Sequence, residues 1–275
     1  MIGKYIVIEM TNASGKSSAI DATINTERAK GKKIIFLKTP STRNEAACRY
    51  TTNPDKLELA NANAVDKAEA SIIAFMLKQE GFDIIQDRGF VSALLYNNLD
   101  KVPFETTTAL IAEATKKIIS TYEDLAKLII EVMKTQTEQG YQPEYKYLDK
   151  VKNLKIDLRQ NLSANGLIMP DLIVAPVTQD KLVKRNLKIR LKNGDSLDSY
   201  EIEQMDKGTE TEMFPKAMEY YEKKLHGKVN VFDSLHGQNL DGYSDEKLEE
   251  TFEKITKLTA GKIIEALESV PDLKE

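Results

Sequence analysis

Five short apolar runs recur along the chain, each separated from the next by a stretch with a helical pattern. The runs cover residues 5–8, 34–37, 82–85, 172–175 and 229–232. Apolar runs that do not alternate with polar residues are typical of parallel strands covered by helices on both faces. Strands that alternate with helices therefore predict an α/β fold, in which a five-stranded parallel sheet is flanked by helices.

Residues 100–166 contain no run of this kind. Apolar residues spaced three or four apart predict one long helix there: Ile111, Ala114, Ile118, Tyr122, Leu125, Ile129 and Val132. A second helix is predicted at residues 148–162, and a last one at residues 245–267. No linker divides the chain, so we interpret residues 1–275 as one domain with a helical insertion at 100–166. The insertion packs on the domain's own core or, alternatively, forms a homodimer interface.

Composition excludes several classes of protein. The 39 basic and 43 acidic residues give a net charge of −4, whereas proteins that coat nucleic acid carry a basic excess. Small anionic ligands remain possible, because local clusters of Lys and Arg decide their binding. No apolar run approaches the ~20 residues of a membrane span, and no Cys/His spacing indicates zinc. We therefore expect a cytoplasmic protein that binds neither membranes nor nucleic acid.

The first apolar run leads into residues 10–18, which have the sequence MTNASGKSS. The Walker A pattern for phosphate binding is G-x-x-x-x-G-K-[ST] between a strand and a helix, and only its first glycine differs here, where Met10 stands. Gly15 allows successive backbone amides to point at one phosphate. Lys16 supplies a cation to the β- and γ-phosphates, and the Ser17 hydroxyl suits Mg²⁺. The predicted ATP–Mg²⁺ site consists of Asn12, Ala13, Ser14, Gly15, Lys16, Ser17 and Ser18.

Several segments in order resemble the thymidylate kinase family of P-loop nucleoside monophosphate kinases. They are the N-terminal GKYIVIEMTNASGKSSAI, Asp87-Arg88 with Ser92 and Tyr96 beyond it, Pro170-Asp171-Leu172, Asp198-Ser199-Tyr200-Glu201 and Val231-Phe232-Asp233. The resemblance covers most of the chain but not residues 100–166. It implies a three-layer P-loop NTPase fold and a cytoplasmic enzyme of nucleotide biosynthesis. The implied reaction is ATP-dependent phosphorylation of a nucleoside monophosphate, with dTMP as the default acceptor and dTDP as the product.

Chemistry and the resemblance together give roles to residues outside the loop. An acceptor monophosphate needs its own cations, and Arg88 at the end of the third run suits a bidentate clamp. Lys38 and Lys67 supply further positive charge to the same phosphate. Asp87 would hold Mg²⁺ through water or orient the arginine, and Glu9 would position the acceptor phosphate or the metal.

A basic segment at residues 184–200 is predicted to be a lid that closes over the phosphates. Such a segment expels water and can deliver a cation to the transition state. Arg185 and Arg190 are the candidates for that cation, and Gly194 suits a hinge.

Several positions depart from the family's pattern and leave the acceptor open, among them Lys38 and Lys67, which stand where the family has arginines. Asn12 replaces an aspartate, Gly89 an aromatic residue and Ser199 an arginine. One alternative is a deoxynucleoside kinase, in which Glu9 would be the catalytic base. The other is a degenerate, non-catalytic nucleotide-binding protein, which Met10 and Ser199 favour.

Overall fold

The computed structural model describes residues 2–40, 55–121, 158–235 and 237–271, apart from the side chain of Ser199. The strands are β1 (Tyr5–Ile8), β2 (Ile34–Lys38), β3 (Asp83–Asp87), β4 (Leu172–Val177) and β5 (Val229–Asp233). They form one sheet in the order β2-β3-β1-β4-β5, and all four pairings are parallel. The predicted fold class is confirmed, with each strand within two residues of its predicted bounds.

Eight α-helices belong to the described part of the chain. They are α1 (Lys16–Ala29), α2 (Lys56–Gln79), α3 (Phe90–Leu99), α4 (Phe104–Ser120), α5 (Asp180–Lys192), α6 (Ser199–Lys207), α7 (Thr209–Leu225) and α8 (Asp245–Ser269). One apolar cluster joins a face of the sheet to α2, α3, α4 and α7. A second cluster joins the opposite face to α1 and α8. The protein is therefore a three-layer α/β fold.

Strand β1 shows why the apolar runs lack alternation. Tyr5 and Val7 point into the first cluster, whereas Ile6 and Ile8 point into the second. All four side chains are buried. Because each buried aliphatic side chain contributes about 1.5–3 kcal/mol, both faces of a central strand favour apolar residues.

Of the three predicted helices, the structure confirms the last, shows part of the first, and differs from the second. The last one is confirmed as α8, which extends to Ser269. The predicted helix through residues 111–132 is present as α4 as far as Ser120, and its remainder lies outside the described residues. Of the predicted helix at 148–162, residues 148–157 also lie outside, and Leu158–Asn161 is a 3-10 helix rather than an α-helix. The chain then turns at Gly166, whose φ of 74° ends regular structure.

The segment predicted as a lid is largely helical. Residues 184–192 belong to α5, which is amphipathic: Leu182, Val183 and Leu187 are buried, while Lys188 is exposed. A short turn containing Gly194, with a φ of 88°, connects α5 to α6. Among the described residues, no helix combines the length and hydropathy that crossing a bilayer requires.

Candidate active site

The loop between β1 and α1 turns through two residues with left-handed backbone. Ala13 has a φ of 54° and Gly15 a φ of 91°. A Cβ at Gly15 would also lie 2.8 Å from Thr256 Oγ1 and 3.0 Å from the Phe252 ring of α8. Both the backbone and the packing therefore require glycine at position 15. The Ser14 hydroxyl closes the loop by donating to the Thr11 carbonyl at 2.6 Å.

Six successive backbone amides of this loop, from Ala13 to Ser18, donate no hydrogen bond to any acceptor within the described ranges. They lie at the N-terminus of α1, where unpaired amides and the helix dipole attract negative charge. Such a row of amides is suited to an oxyanion ligand.

Met10, which stands in place of the Walker glycine, belongs to the hydrophobic core. Its side chain is 1% exposed and lies in the cluster between the sheet, α1 and α8, together with Ile8 and Ile20. Methionine can occupy this position because its flexible chain fills irregular space beneath α1.

Lys16 lies at the start of α1 and is buried. Its ammonium forms an ion pair with Asp87, which ends β3. Burial lowers the pKa of Lys16, nearby Arg88 lowers it further, and Glu9 acts in the opposite direction. The contact with Asp87 also favours the charged form. A phosphate between the loop and this pair would bring compensating negative charge.

Among the described residues, Arg88 donates to three side chains, of which the Ser92 hydroxyl at 3.5 Å is the most distant. Its guanidinium donates to the Tyr96 hydroxyl at 2.7 Å and to the Asn12 side-chain oxygen, and it lies 5.2 Å from the centre of the Tyr96 ring. Burial alone would lower the pKa of Arg88, but Tyr96, Glu210 and Glu9 raise it above its ordinary value. The structure therefore contains a permanently charged, oriented cation beside the loop.

Glu9 is buried and caps α3. One oxygen accepts from the Gly89 amide at 2.6 Å and the Ser92 amide at 3.3 Å, and the other accepts from the Ser92 hydroxyl at 2.5 Å. A Cβ at position 89 would lie 2.9 Å from Val7 and 3.3 Å from Glu9. This close approach explains the glycine where the resembled family has an aromatic residue.

Lys67 and Lys38 approach the same edge of the sheet. Lys67 is 4% exposed, and its ammonium lies 3.6 Å from the neighbouring Asp66 carboxylate. Burial lowers the pKa of Lys67, Asp66 and Glu9 raise it, and Arg88 lowers it, so Lys67 shares the electrostatic environment of Arg88. Lys38 is exposed at the end of β2 and pairs in register with Asp87.

The two arginines predicted for the lid are held by carboxylates elsewhere. Arg185 donates to Glu249 of α8 at 2.5 Å, and Arg190 pairs with Glu201 of α6. Neither contacts the loop or Arg88 among the described residues. The contact between α5 and the loop comes instead from Asn186, whose side chain donates to the Ala13 carbonyl at 2.8 Å.

The prediction from sequence missed Glu210, in the first turn of α7. Its carboxylate accepts from the Asn12 amide at 2.9 Å, from the Asn12 side chain at 2.8 Å and from the Tyr96 hydroxyl at 3.3 Å. Glu210 is fully buried. An acidic residue in a first helical turn is common on protein surfaces, so the sequence carries no signal for this contact.

Comparison with solved structures agrees with this architecture. No protein-family model matches the chain, and no curated protein matches its sequence. Among solved structures, a thymidylate kinase from Candida albicans matches over 100% of this chain and 96% of its own, with a TM-score of 0.52 and 16% identity. The fold is similar to that of a thymidylate kinase. The published description of the Candida enzyme concerns broad substrate specificity and a novel structural element. The fold implied by the sequence resemblance is thus confirmed.

Proposed function

We propose that this protein is an ATP-dependent nucleoside monophosphate kinase with dTMP as its default acceptor. The observation that carries the proposal is the row of unpaired amides from Ala13 to Ser18 beside a second group of cations, half-buried Arg88 and buried Lys67. Phosphoryl transfer needs two anionic groups brought into line while their repulsion is neutralised. A second anion site beside a phosphate loop distinguishes transfer to a phosphate from simple nucleotide binding.

The donor triphosphate would lie along the loop. The amides from Ala13 to Ser18 and the Lys16 ammonium supply its positive environment. Mg²⁺ keeps several waters and uses few protein ligands. The Ser17 hydroxyl in the first turn of α1 and the Asp87 carboxylate beside Lys16 would be these few protein ligands. When bound, the ion would neutralise charge on the donor phosphates.

The acceptor phosphate would bind between Arg88, Lys67 and Lys38. Arg88 supplies a planar fork suited to two phosphate oxygens, and Lys67 a buried point charge. Among the described ion pairs, Lys67 has only the 3.6 Å contact with Asp66. A phosphate dianion would therefore stabilise its charged form.

The arrangement of Glu9 favours a monophosphate acceptor over a nucleoside. A nucleoside kinase needs a carboxylate base that can reach the sugar hydroxyl. Both oxygens of Glu9 instead accept hydrogen bonds from Gly89 and Ser92. We assign Glu9 to holding α3 and the adjacent Arg88.

We also propose that residues 184–200 form the lid. Arg185 and Arg190 would reach the phosphates only after leaving Glu249 and Glu201, with the turn at Gly194 as the hinge. The side-chain bond from Asn186 to Ala13 would anchor the start of this segment to the loop.

A coupled assay across the common ribo- and deoxynucleoside monophosphates, with thymidine included, tests the proposal. We expect turnover of dTMP that Lys16→Ala abolishes, because the donor phosphates lose their buried cation. Lys223→Ala is the matched control, since Lys223 is an exposed lysine on α7 paired with Glu219. Failure of every monophosphate, or equal rates for Lys16→Ala and its parent, would contradict the proposal. Turnover of thymidine alone would indicate a nucleoside kinase, and calorimetric ATP binding without turnover a non-catalytic protein.

A further inference from the structure

Of the three described side chains that accept hydrogen bonds from Arg88, the two with the shorter contacts, Asn12 and Tyr96, both donate to one buried carboxylate. Asn12 accepts from Arg88 through its side-chain oxygen and donates to Glu210 through its side-chain nitrogen at 2.8 Å. The Tyr96 hydroxyl accepts from Arg88 at 2.7 Å and donates to the same carboxylate at 3.3 Å. Two hydrogen-bonded relays thus run from Arg88 and meet at Glu210.

A carboxylate at this place determines how both relays are oriented. An ionised carboxylate only accepts hydrogen bonds, so Asn12 must turn its nitrogen toward Glu210 and its oxygen toward Arg88. The Tyr96 hydroxyl must likewise direct its proton to Glu210 and a lone pair to Arg88. The Asn12 backbone amide adds a third donor to the carboxylate at 2.9 Å.

Burial and hydrogen bonds fix the position of Glu210. Its side chain is fully buried, and its backbone amide donates to the side chain of Gln204 at 2.5 Å. Gln204 in turn donates to Asp180 at 2.8 Å at the start of α5. Burial raises the pKa of Glu210 above its ordinary value and outweighs Arg88 and the two bonds from Asn12, which lower it. A charged group is costly in such a place unless its partners are fixed.

We propose that Glu210 is a positioning residue, which orients Arg88 toward the acceptor phosphate through Asn12 and Tyr96. This inference rests on the proposed kinase function and assigns to Glu210 the geometry of its acceptor site. It also explains why asparagine occupies position 12. An aspartate there would place two carboxylates against each other, one of which would have to take up a proton.

A reciprocal exchange of amide and carboxylate tests the proposal. In E210Q, the new glutamine nitrogen faces either the backbone amide or the side-chain nitrogen of Asn12. The first contact displaces the loop at Asn12, and the second turns the Asn12 side chain, so Arg88 loses a well-placed acceptor in both. In N12D, two carboxylates face each other. We expect each change to raise the KM for dTMP about tenfold or more, while the KM for ATP changes less than about threefold. The double variant N12D/E210Q should recover most of the loss. Its new glutamine can donate to the new aspartate, which still accepts from Arg88.

Glu212→Gln is the matched control, because Glu212 lies in the same helical turn but is exposed and pairs with Lys216. The proposal is overturned if E210Q behaves like E212Q, or if the double variant is no better than the worse single variant. A purely structural role would not produce recovery by exchange. If E210Q fails to fold, Tyr96→Phe replaces it, with a raised KM for dTMP expected and an unchanged KM contradicting the proposal.

Crystal structures of the parent and E210Q separate this proposal from the proposed function. A parent that turns over no monophosphate refutes the kinase. The orientation of Arg88 then decides the positioning role: rotated Asn12 and Arg88 side chains in E210Q support it, and unchanged side chains overturn it.

Discussion

At the carboxyl edge of the sheet, buried charged side chains are paired with opposite charges or with hydrogen-bond donors. Lys16 pairs with Asp87, while Glu9 accepts the amides that begin α3. Arg88 and Glu210 act on each other electrostatically and share Asn12 and Tyr96 as partners. Desolvated charges are expensive, and proteins keep them where their chemistry is used. The free-energy cost of burying these charged residues supports the proposed site.

Gly15 offers a direct test of the loop. Gly15→Ala introduces a strained φ and a Cβ that approaches Thr256 and Phe252, so the loop must shift. Gly31→Ala is the matched control, because Gly31 has a φ of 83° and open space around it. We expect both variants to lose about 1 kcal/mol or more in free energy of unfolding. Only Gly15→Ala should lose ATP affinity in calorimetry. Equal ATP affinity in both variants would contradict a phosphate role for the loop.

Lys67 and Lys78 are both buried lysines of α2, but their expected roles differ. Lys67→Met removes a charge whose pKa burial lowers. We expect little loss of stability and a KM for dTMP raised about tenfold. Lys78→Met leaves Asp171, 2.5 Å from Lys78, without its ion-pair partner and with the Tyr5 amide as its remaining donor among the described residues. It should lower the free energy of unfolding by about 2 kcal/mol or more and leave the KM unchanged. Denaturant unfolding measures the stability of both variants, and the coupled assay measures their KM for dTMP. An unchanged KM in Lys67→Met would show that Lys67 does not belong to the site.

Individual site residues were predictable only where a local pattern carries the chemistry. G-K-S after an apolar run pointed to the loop before α1, and Asp87-Arg88 after the third run pointed to the arginine that lies beside it; their phosphate roles stay predictions. Glu210 was not predictable, because it lies 198 positions from Asn12 and only the fold joins them. The contact of Asn186 with Ala13 was not predictable for the same reason, because the two residues are 173 positions apart.

At the scale of elements, side chains of neighbouring segments define where helices begin. Asp55 accepts from the amides of Leu57 and Glu58 at the start of α2, both at 3.0 Å. Asp198 and Glu201 form a capping box at the start of α6. Strands and the last helix were predictable from periodicity. The helical character of residues 184–192 was not, because basic residues dominate this segment and only Leu187 of the buried stripe of Leu182, Val183 and Leu187 lies within it.

The turn between α1 and β2 has a pH-dependent contact. Buried Glu27 pairs with Lys30 at 2.6 Å and with Lys32. Burial alone would raise the pKa of Glu27, but the two lysines outweigh it and lower the pKa. A lowered folded-state pKa stabilises the protein above the unfolded value of about 4.3, and this contribution disappears as the pH falls through the folded value. We expect Glu27→Gln to cost on the order of 1 kcal/mol at pH 7, since solvent screens both lysines.

Denaturant unfolding of Glu27→Gln and its parent between pH 7 and pH 2 measures this effect. The difference in free energy of unfolding should shrink below about pH 4. Glu219→Gln, at an exposed ion pair with Lys223, is the control and should show a much smaller difference. A difference for Glu27→Gln that stays constant down to pH 2 would contradict the assigned ion pairs.

At the scale of the whole molecule, sheet order brings the site together. Because β1 lies between β3 and β4, the loop after β1 and the Asp87-Arg88 pair after β3 share one edge of the sheet. Helices α5, α6 and α7 cover that edge from residues distant in sequence. The fold was therefore predictable from short apolar runs, whereas the covering contacts required the assembled structure.

The central claim is that the loop before α1 binds one phosphate group while Arg88 binds another opposite it. A molecule that joins ATP and thymidine monophosphate through one shared chain of phosphates would occupy both places. Its affinity for the parent, Lys16→Ala and Arg88→Met, measured by calorimetry, is the most direct test. The account predicts that each substitution weakens binding at least about tenfold, or about 1.4 kcal/mol. Absence of binding to the parent, or binding that neither substitution weakens, would contradict it.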